Sequence, residues 1–132
     1  MPRILVVDDD PNSRKIIELM LSSQGYALTF AENGRDAVSK AQAEEPDLIL
    51  IDVLMPIMNG HEATRHLKAD PRTRQIPVVA LTALAFESDR QEALSVGCNG
   101  YLSKPFTRRE LLEAVLGFLP SDAAPDARQA LA

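Results

Sequence analysis

The sequence predicts one α/β domain built on a parallel sheet, with helices packed on both faces. Three observations carry this. Short runs rich in Ile, Val and Leu alternate with helical patterns five times, as in a sheet with right-handed crossovers. The three purest runs are continuous rather than period-two, which is how strands buried on both faces read. At 132 residues, 45% hydrophobic and 25% charged, the chain has the size and composition of one compact domain.

Ile4–Val7 is the first strand. Ile16, Ile17, Met20 and Leu21 then recur at helical spacing and stop before Gly25. Tyr26–Ala31 is more mixed and suits an outer strand. Ala37, Val38 and Ala41 mark a second helix after Asn33-Gly34, and Leu48–Ile51 is the third strand. Ala63 and Leu67 mark a third helix after Asn59-Gly60, and Val78–Leu81 is the fourth strand. Glu87–Val96 reads as a weaker helix stopped by Gly97, and Gly100–Leu102 as a short fifth strand. Leu111, Leu112, Val115 and Phe118 mark the last helix, with Thr107 as N-cap and Glu110 three residues on, a capping-box spacing. The domain is expected over 1–119. The stretch "PSDAAPDARQALA", 120–132, reads as a flexible tail or the start of a linker.

The charge of −5 argues against a nucleic-acid partner, which wants a basic face. The single cysteine, Cys98, excludes an internal disulfide and a cysteine-rich zinc site, and suits a buried small hydrophobe in a reducing cytoplasm. No signal peptide or membrane span is expected, because Ile4–Val7 is too short and runs straight into acid. His61 and His66 are five apart, not a one-face ligand spacing, and are expected at the surface.

Chemistry collects at the C-terminal ends of the strands. The first strand ends in Asp8, Asp9 and Asp10, the third in Asp52, the fourth in Thr82, and Lys104-Pro105 follows the fifth. In open parallel sheets, ligands bind outside those ends, where the strand order reverses. With the order 2-1-3-4-5, Asp8, Asp9 and Asp52 converge in one shallow pocket flanked by Thr82 and Lys104. Close carboxylates are costly without a cation, and oxygen donors without His or Cys favour Mg2+. A lysine and a threonine hydroxyl across the pocket suit an anion. Together they make a site for a phosphoryl group with an Asp nucleophile. Singly, an acid after a strand is ordinarily a cap and a lone Lys a surface charge. Four such positions at four strand ends of one sheet outweigh that reading. Asp10 differs from its neighbours: Pro11 suits the first helical position, so Asp10 is the natural N-cap.

At these residues the chain resembles the response-regulator receiver domains of two-component signalling. The motifs are "LVVDDD", "LILIDVLMPIMNG" around Asp52, "PVVALTA" with Thr82, and "GYLSKPF" with Lys104, and the likeness covers roughly 3–119. It implies a flavodoxin-like fold: a five-stranded parallel sheet, order 2-1-3-4-5, with five helices in a three-layer sandwich. It implies that Asp52 accepts a phosphoryl group from the phosphohistidine of a histidine kinase or histidine phosphotransfer protein. Asp9, Asp52 and the backbone carbonyl of Leu54 would bind Mg2+ directly, Asp8 through a water, and Lys104 would pair with a phosphoryl oxygen. The Lys104–Pro105 bond is expected to be cis. Thr82 and Tyr101 would act as the switch, Tyr101 swinging inward and changing the face of the fourth helix, fifth strand and fifth helix toward a downstream protein partner. Asn12, Arg14 and Lys15, with the loop after the fifth strand, would receive the phosphodonor.

Two features stand apart from the family pattern. Leu54 and Leu84 lie two residues beyond Asp52 and Thr82, where polar residues position a hydrolytic water, so slow self-dephosphorylation is expected. Asn99 and Gly100 stand where DNA-binding members carry dimer-forming acids, which favours a monomer or weak dimer and a single-domain or hybrid-kinase receiver. The implied output is protein binding, a signalling module rather than an enzyme. Two alternatives remain. A haloacid-dehalogenase-like phosphatase would need Thr or Val at Asn12 and its nucleophile on the first strand. An unphosphorylated receiver-fold scaffold would not need the full Asp, Thr and Lys set.

Overall fold

The computed structural model describes residues 2–83 and 86–119. The elements follow as β1 (Arg3–Val7), α1 (Pro11–Leu21), β2 (Ala27–Ala31), α2 (Gly34–Glu44), β3 (Leu48–Asp52), α3 (Gly60–Ala69), β4 (Val78–Thr82), α4 (Glu87–Ser95), β5 (Gly100–Ser103) and α5 (Arg108–Phe118). The expected strand bounds are met within one residue at either end. All pairings are parallel, in the order β2-β1-β3-β4-β5. The expected tail, 120–132, and Leu84 lie outside the described residues.

The apolar runs read as strands because each feeds two cores. Leu5, Val7, Ile49, Ile51, Val78 and Ala80 face α2, α3 and α4 through Ala37, Ala41, Ala63, Leu67 and Ala93. The alternate residues Ile4, Val6, Leu48, Leu50, Val79 and Leu81 face α1 and α5 through Ile17, Leu21, Leu111, Leu112 and Val115. Period-two side-chain alternation thus makes three layers from one continuous hydrophobic pattern.

Helix starts follow local chemistry. The Asp10 carboxylate accepts from Asn12 N at 2.9 Å and from Ser13 Oγ at 3.3 Å, with Pro11 at the first helical position. Asn59 with Glu62 and Thr107 with Glu110 close reciprocal capping boxes on α3 and α5. α4 is the poorest helix: only Ala93 is fully buried, and Phe86 at its N-cap is 78% exposed.

Three residues do more than their sequence positions suggest. Asn99 accepts from Val78 N (3.0 Å) and Lys68 Nζ (2.9 Å) through its side chain, while its N–H donates to Val78 O (2.7 Å). Lys68 also donates to Ile76 O and Arg74 O, and burial holds its pKa below the ordinary lysine value. The Lys68–Asn99 pair therefore ties the end of α3 to the entries of β4 and β5. Gly100 lies under the Phe118 ring, which a Cβ would approach to 2.4 Å. Asn99 and Gly100 are thus engaged in packing and carry no charge toward a partner. His61 departs from its expected surface position. Its side chain is only 12% exposed, and Nε2 lies 3.9 Å from Glu92 Oε1 on α4. The reason is its place at the start of α3, facing α4; His66 is exposed as expected. Cys98 is buried 3.8 Å from Thr64 Oγ1, and burial raises its thiol pKa, which keeps it protonated.

Candidate functional site

The order β2-β1-β3 puts the ends of β1 and β3 side by side, with Val7 opposite Ile51. The next residues along each strand, Asp8 and Asp52, therefore share one end of the sheet. One carboxylate oxygen from each of Asp8, Asp9 and Asp52 lies within 4.8 Å of the others. Asp8 is 1% exposed and Asp52 9%, whereas Asp9 stands in solvent at the mouth. Asp10 caps α1 instead, so the three consecutive acids divide into two for the cluster and one for the helix.

Lys104 supplies the opposing charge. Its Nζ lies 3.2 Å from Asp8 Oδ2 and 3.6 Å from Asp52 Oδ2. Its N–H donates to Thr82 O at 2.8 Å, which ties it to the end of β4; its peptide bond to Pro105 is cis, as expected. Thr82, at the end of β4, is 1% exposed, and sits one residue beyond Leu81, the β-partner of Asp52. Asp8, Asp9, Asp52, Thr82 and Lys104 are therefore brought to one end of the sheet, as expected.

The loop after β3 completes the pocket floor. Leu54 N donates to Asp52 Oδ1 at 3.3 Å, so the Leu54 backbone reaches the cluster while its side chain is 59% exposed. Gly60 N donates to Val53 O at 2.9 Å, and a Cβ on Gly60 would meet Asp52 O at 2.4 Å. Only glycine allows α3 to start so close to the strand that ends in Asp52. Ile57 in this loop has φ +70° and a side chain 71% exposed. A β-branched residue in the left-handed region stores backbone strain.

Tyr101 lies apart, on β5. Its half-buried ring packs against the core under α2, α3 and α4. Beside Lys104, a largely apolar groove of about 440 Å³ is lined by Ser13, Ile16, Ile17 and Met20 of α1 and by Pro105 and Phe106. Arg14 does not join that groove: its guanidinium is bonded to the Asp8 carbonyl. Sequence reasoning missed this, because helical periodicity gives the face of a residue and not the reach of its side chain.

Charge balance in the cluster is unequal, three carboxylates against one ammonium. Burial holds the Asp52 carboxyl above its ordinary value; Asp8 and Asp9 push it the same way, while Lys104 and the Leu54 N–H oppose the rise. Such a set of hard oxygen donors fits a hard divalent cation. The raised pKa has a stability consequence. The folded state binds the Asp52 proton more tightly than the unfolded state, so this group favours folding at acid pH. That contribution is lost as pH rises from the unfolded pKa through the folded one. Above it, ionised Asp52 opposes folding. Asp52→Asn is therefore expected to stabilise the metal-free protein at neutral pH, with the gain vanishing in acid. Thermal melts of both proteins in chelator, from acid to neutral pH, check this.

Comparison with known proteins places these features in context. The family model for the response regulator receiver domain matches residues 4–116. Protein PilH of Pseudomonas aeruginosa is 40% identical over 115 residues, covering 87% of this chain and 95% of PilH. The polar-differentiation response regulator DivK of Brucella anthropi is 34% identical, covering 90% of this chain and 98% of DivK. Among solved structures, the receiver domain of the sensor histidine kinase PA1611 from P. aeruginosa, with a magnesium ion coordinated in its active-site cleft, superposes with a TM-score of 0.83. It is 40% identical and covers 89% of this chain and 96% of that one.

Proposed function

The chain belongs to the response regulator receiver domain family of two-component signalling, and from that membership we propose that it accepts a phosphoryl group on Asp52. The observation that carries the reading is the Lys104 ammonium, held between the buried carboxylates of Asp8 and Asp52 beside Asp9. An anion-pairing cation and a cation-binding cluster in one pocket suit a group that is both anionic and metal-seeking.

Asp8, Asp9 and Asp52, with the Leu54 carbonyl, would hold Mg2+, Asp8 through a water. When bound, Mg2+ supplies charge stabilisation for the transferring phosphoryl oxygens. A carboxylate oxygen of Asp52 forms the new O–P bond as the N–P bond of a phosphohistidine breaks. The electron pair returns to the imidazole of the donor. Lys104 turns from the carboxylates to a phosphoryl oxygen, and the Thr82 hydroxyl bonds another. The donor, a histidine kinase or histidine phosphotransfer protein, would seat on the apolar groove of α1 and the loop after β5. Thr82 and Tyr101 would then bias the α4–β5–α5 face toward a downstream protein. Uncharged Asn99 and Gly100 favour a monomer or weak dimer. We place the protein in the cytoplasm, where such kinases phosphorylate their partners; among the described residues no helix is long and apolar enough to cross a membrane.

The chemistry is tested with phosphoramidate, a small donor with the same P–N bond, in the presence of Mg2+. A hydroxylamine-labile phosphate is expected, as for an acyl phosphate. A hydroxylamine-stable label would place the phosphate on a hydroxyl or an amine and overturn the reading. Leu54 lacks a polar group with which to hold a hydrolytic water, so the phosphorylated form is expected to persist for minutes or longer. Leu54→Asn should shorten its lifetime. A wild-type half-life of only seconds would contradict this.

A further inference from the structure

The Arg14 side chain reaches back along α1 to the backbone of the acidic cluster. It lies in the first turns of α1, and its Nη1 donates to the backbone carbonyl of Asp8 at 2.7 Å. That carbonyl belongs to the planar peptide joining Asp8 to Asp9, so its direction sets the plane from which Asp9 departs. Other bonds hold the rest of this loop. Asp8 N donates to Ala31 O at 3.1 Å, Asp8 Oδ1 accepts from Asp10 N at 2.9 Å, and Asp10 caps α1. Asp9 takes part in none of them through its own side chain, which is exposed. Its aim depends on the peptide that Arg14 grips.

We propose that Arg14 is a positioning residue for the acidic cluster: by fixing the Asp8–Asp9 peptide it aims the Asp9 carboxylate and strengthens Mg2+ binding. The proposal rests on the reading that the cluster binds Mg2+. A charge-assisted bond from a planar guanidinium is strong and directional, which suits it to holding a peptide plane. Groups that orient metal ligands are commonly worth 10–100-fold in affinity. Charge acts in the opposite sense. A guanidinium near a cation site repels the cation, so electrostatics alone predicts that removing Arg14 tightens binding. The sign of the change separates the two effects.

The test measures the Mg2+ dissociation constant by titration calorimetry for wild type, Arg14→Met and Arg14→Lys. It adds the acetyl phosphate labelling rate as a function of Mg2+ and metal-free melting temperatures. Arg14→Met is expected to bind Mg2+ about tenfold more weakly, with the labelling rate recovering at saturating Mg2+. Arg14→Lys, which keeps the charge and loses the planar fork, should fall between them, and gives the answer should the Met variant not fold. Equal or tighter binding by the variants, with wild type binding Mg2+, overturns the role of Arg14 and leaves the cation site standing. No Mg2+ uptake by wild type overturns both.

Discussion

Asp9→Ala is expected to abolish Mg2+-dependent phosphorylation while leaving the fold intact. Asp9 is the exposed member of the cluster, so removing its carboxylate opens no cavity and orphans no buried donor. It would take away a direct metal ligand, and metal charge stabilisation is worth several kcal/mol in transfer to an oxygen nucleophile. The labelling rate from acetyl phosphate should fall by at least about a hundredfold, with a metal-free melting temperature no lower than wild type. Asp8→Ala would be a less discriminating variant. Its carboxylate also holds Asp10 N and Lys104 Nζ, so a loss of activity would mix metal binding with loop collapse. Near wild-type labelling of Asp9→Ala would remove Asp9 from the metal site.

Lys104→Met is expected to fail in two ways that share one cause. The ammonium is the partner of both Asp8 and Asp52. Without it two largely buried carboxylates face each other uncompensated, which should cost the metal-free fold on the order of 2 kcal/mol. Mg2+ should return part of that loss by binding the same oxygens. Transfer to Asp52 should remain slow, by about a hundredfold, even at saturating Mg2+, because the transferred phosphoryl oxygen has lost its charged partner. Melts with and without Mg2+, beside the labelling rate, check both halves. The contrast with Asp52→Asn, which should stabilise the metal-free protein, follows from three acids sharing one cation. Removing an acid relieves the site and removing the cation strains it.

The strands could be read because Ile4–Val7, Leu48–Ile51 and Val78–Leu81 are buried on both faces, which leaves an unbroken apolar run. The helix starts at Pro11, Gly60 and Arg108 could be read because Asp10, Asn59 and Thr107 act within three residues of themselves. The site could be read because a parallel sheet sends every strand's C-terminal residue to one edge. What stayed hidden depends on the reach of long side chains or on distant partners. Lys68 finds Asn99 thirty-one residues away, and no local pattern marks either as half of a pair. Arg14 reads as a surface cation of α1 until its guanidinium is seen on the Asp8 carbonyl. His61 reads as a surface residue, yet its side chain is largely buried beside Glu92 of α4. The left-handed Ile57 runs against local preference, since a β-branched residue is poorly suited to that conformation.

Asp52 is the proposed phosphoryl acceptor. That role is tested most directly by intact-mass spectrometry of wild type and Asp52→Asn after incubation with acetyl phosphate and Mg2+. One added phosphoryl group is expected on wild type and none on the variant, which should fold at least as stably. Equal labelling of the two proteins would contradict it.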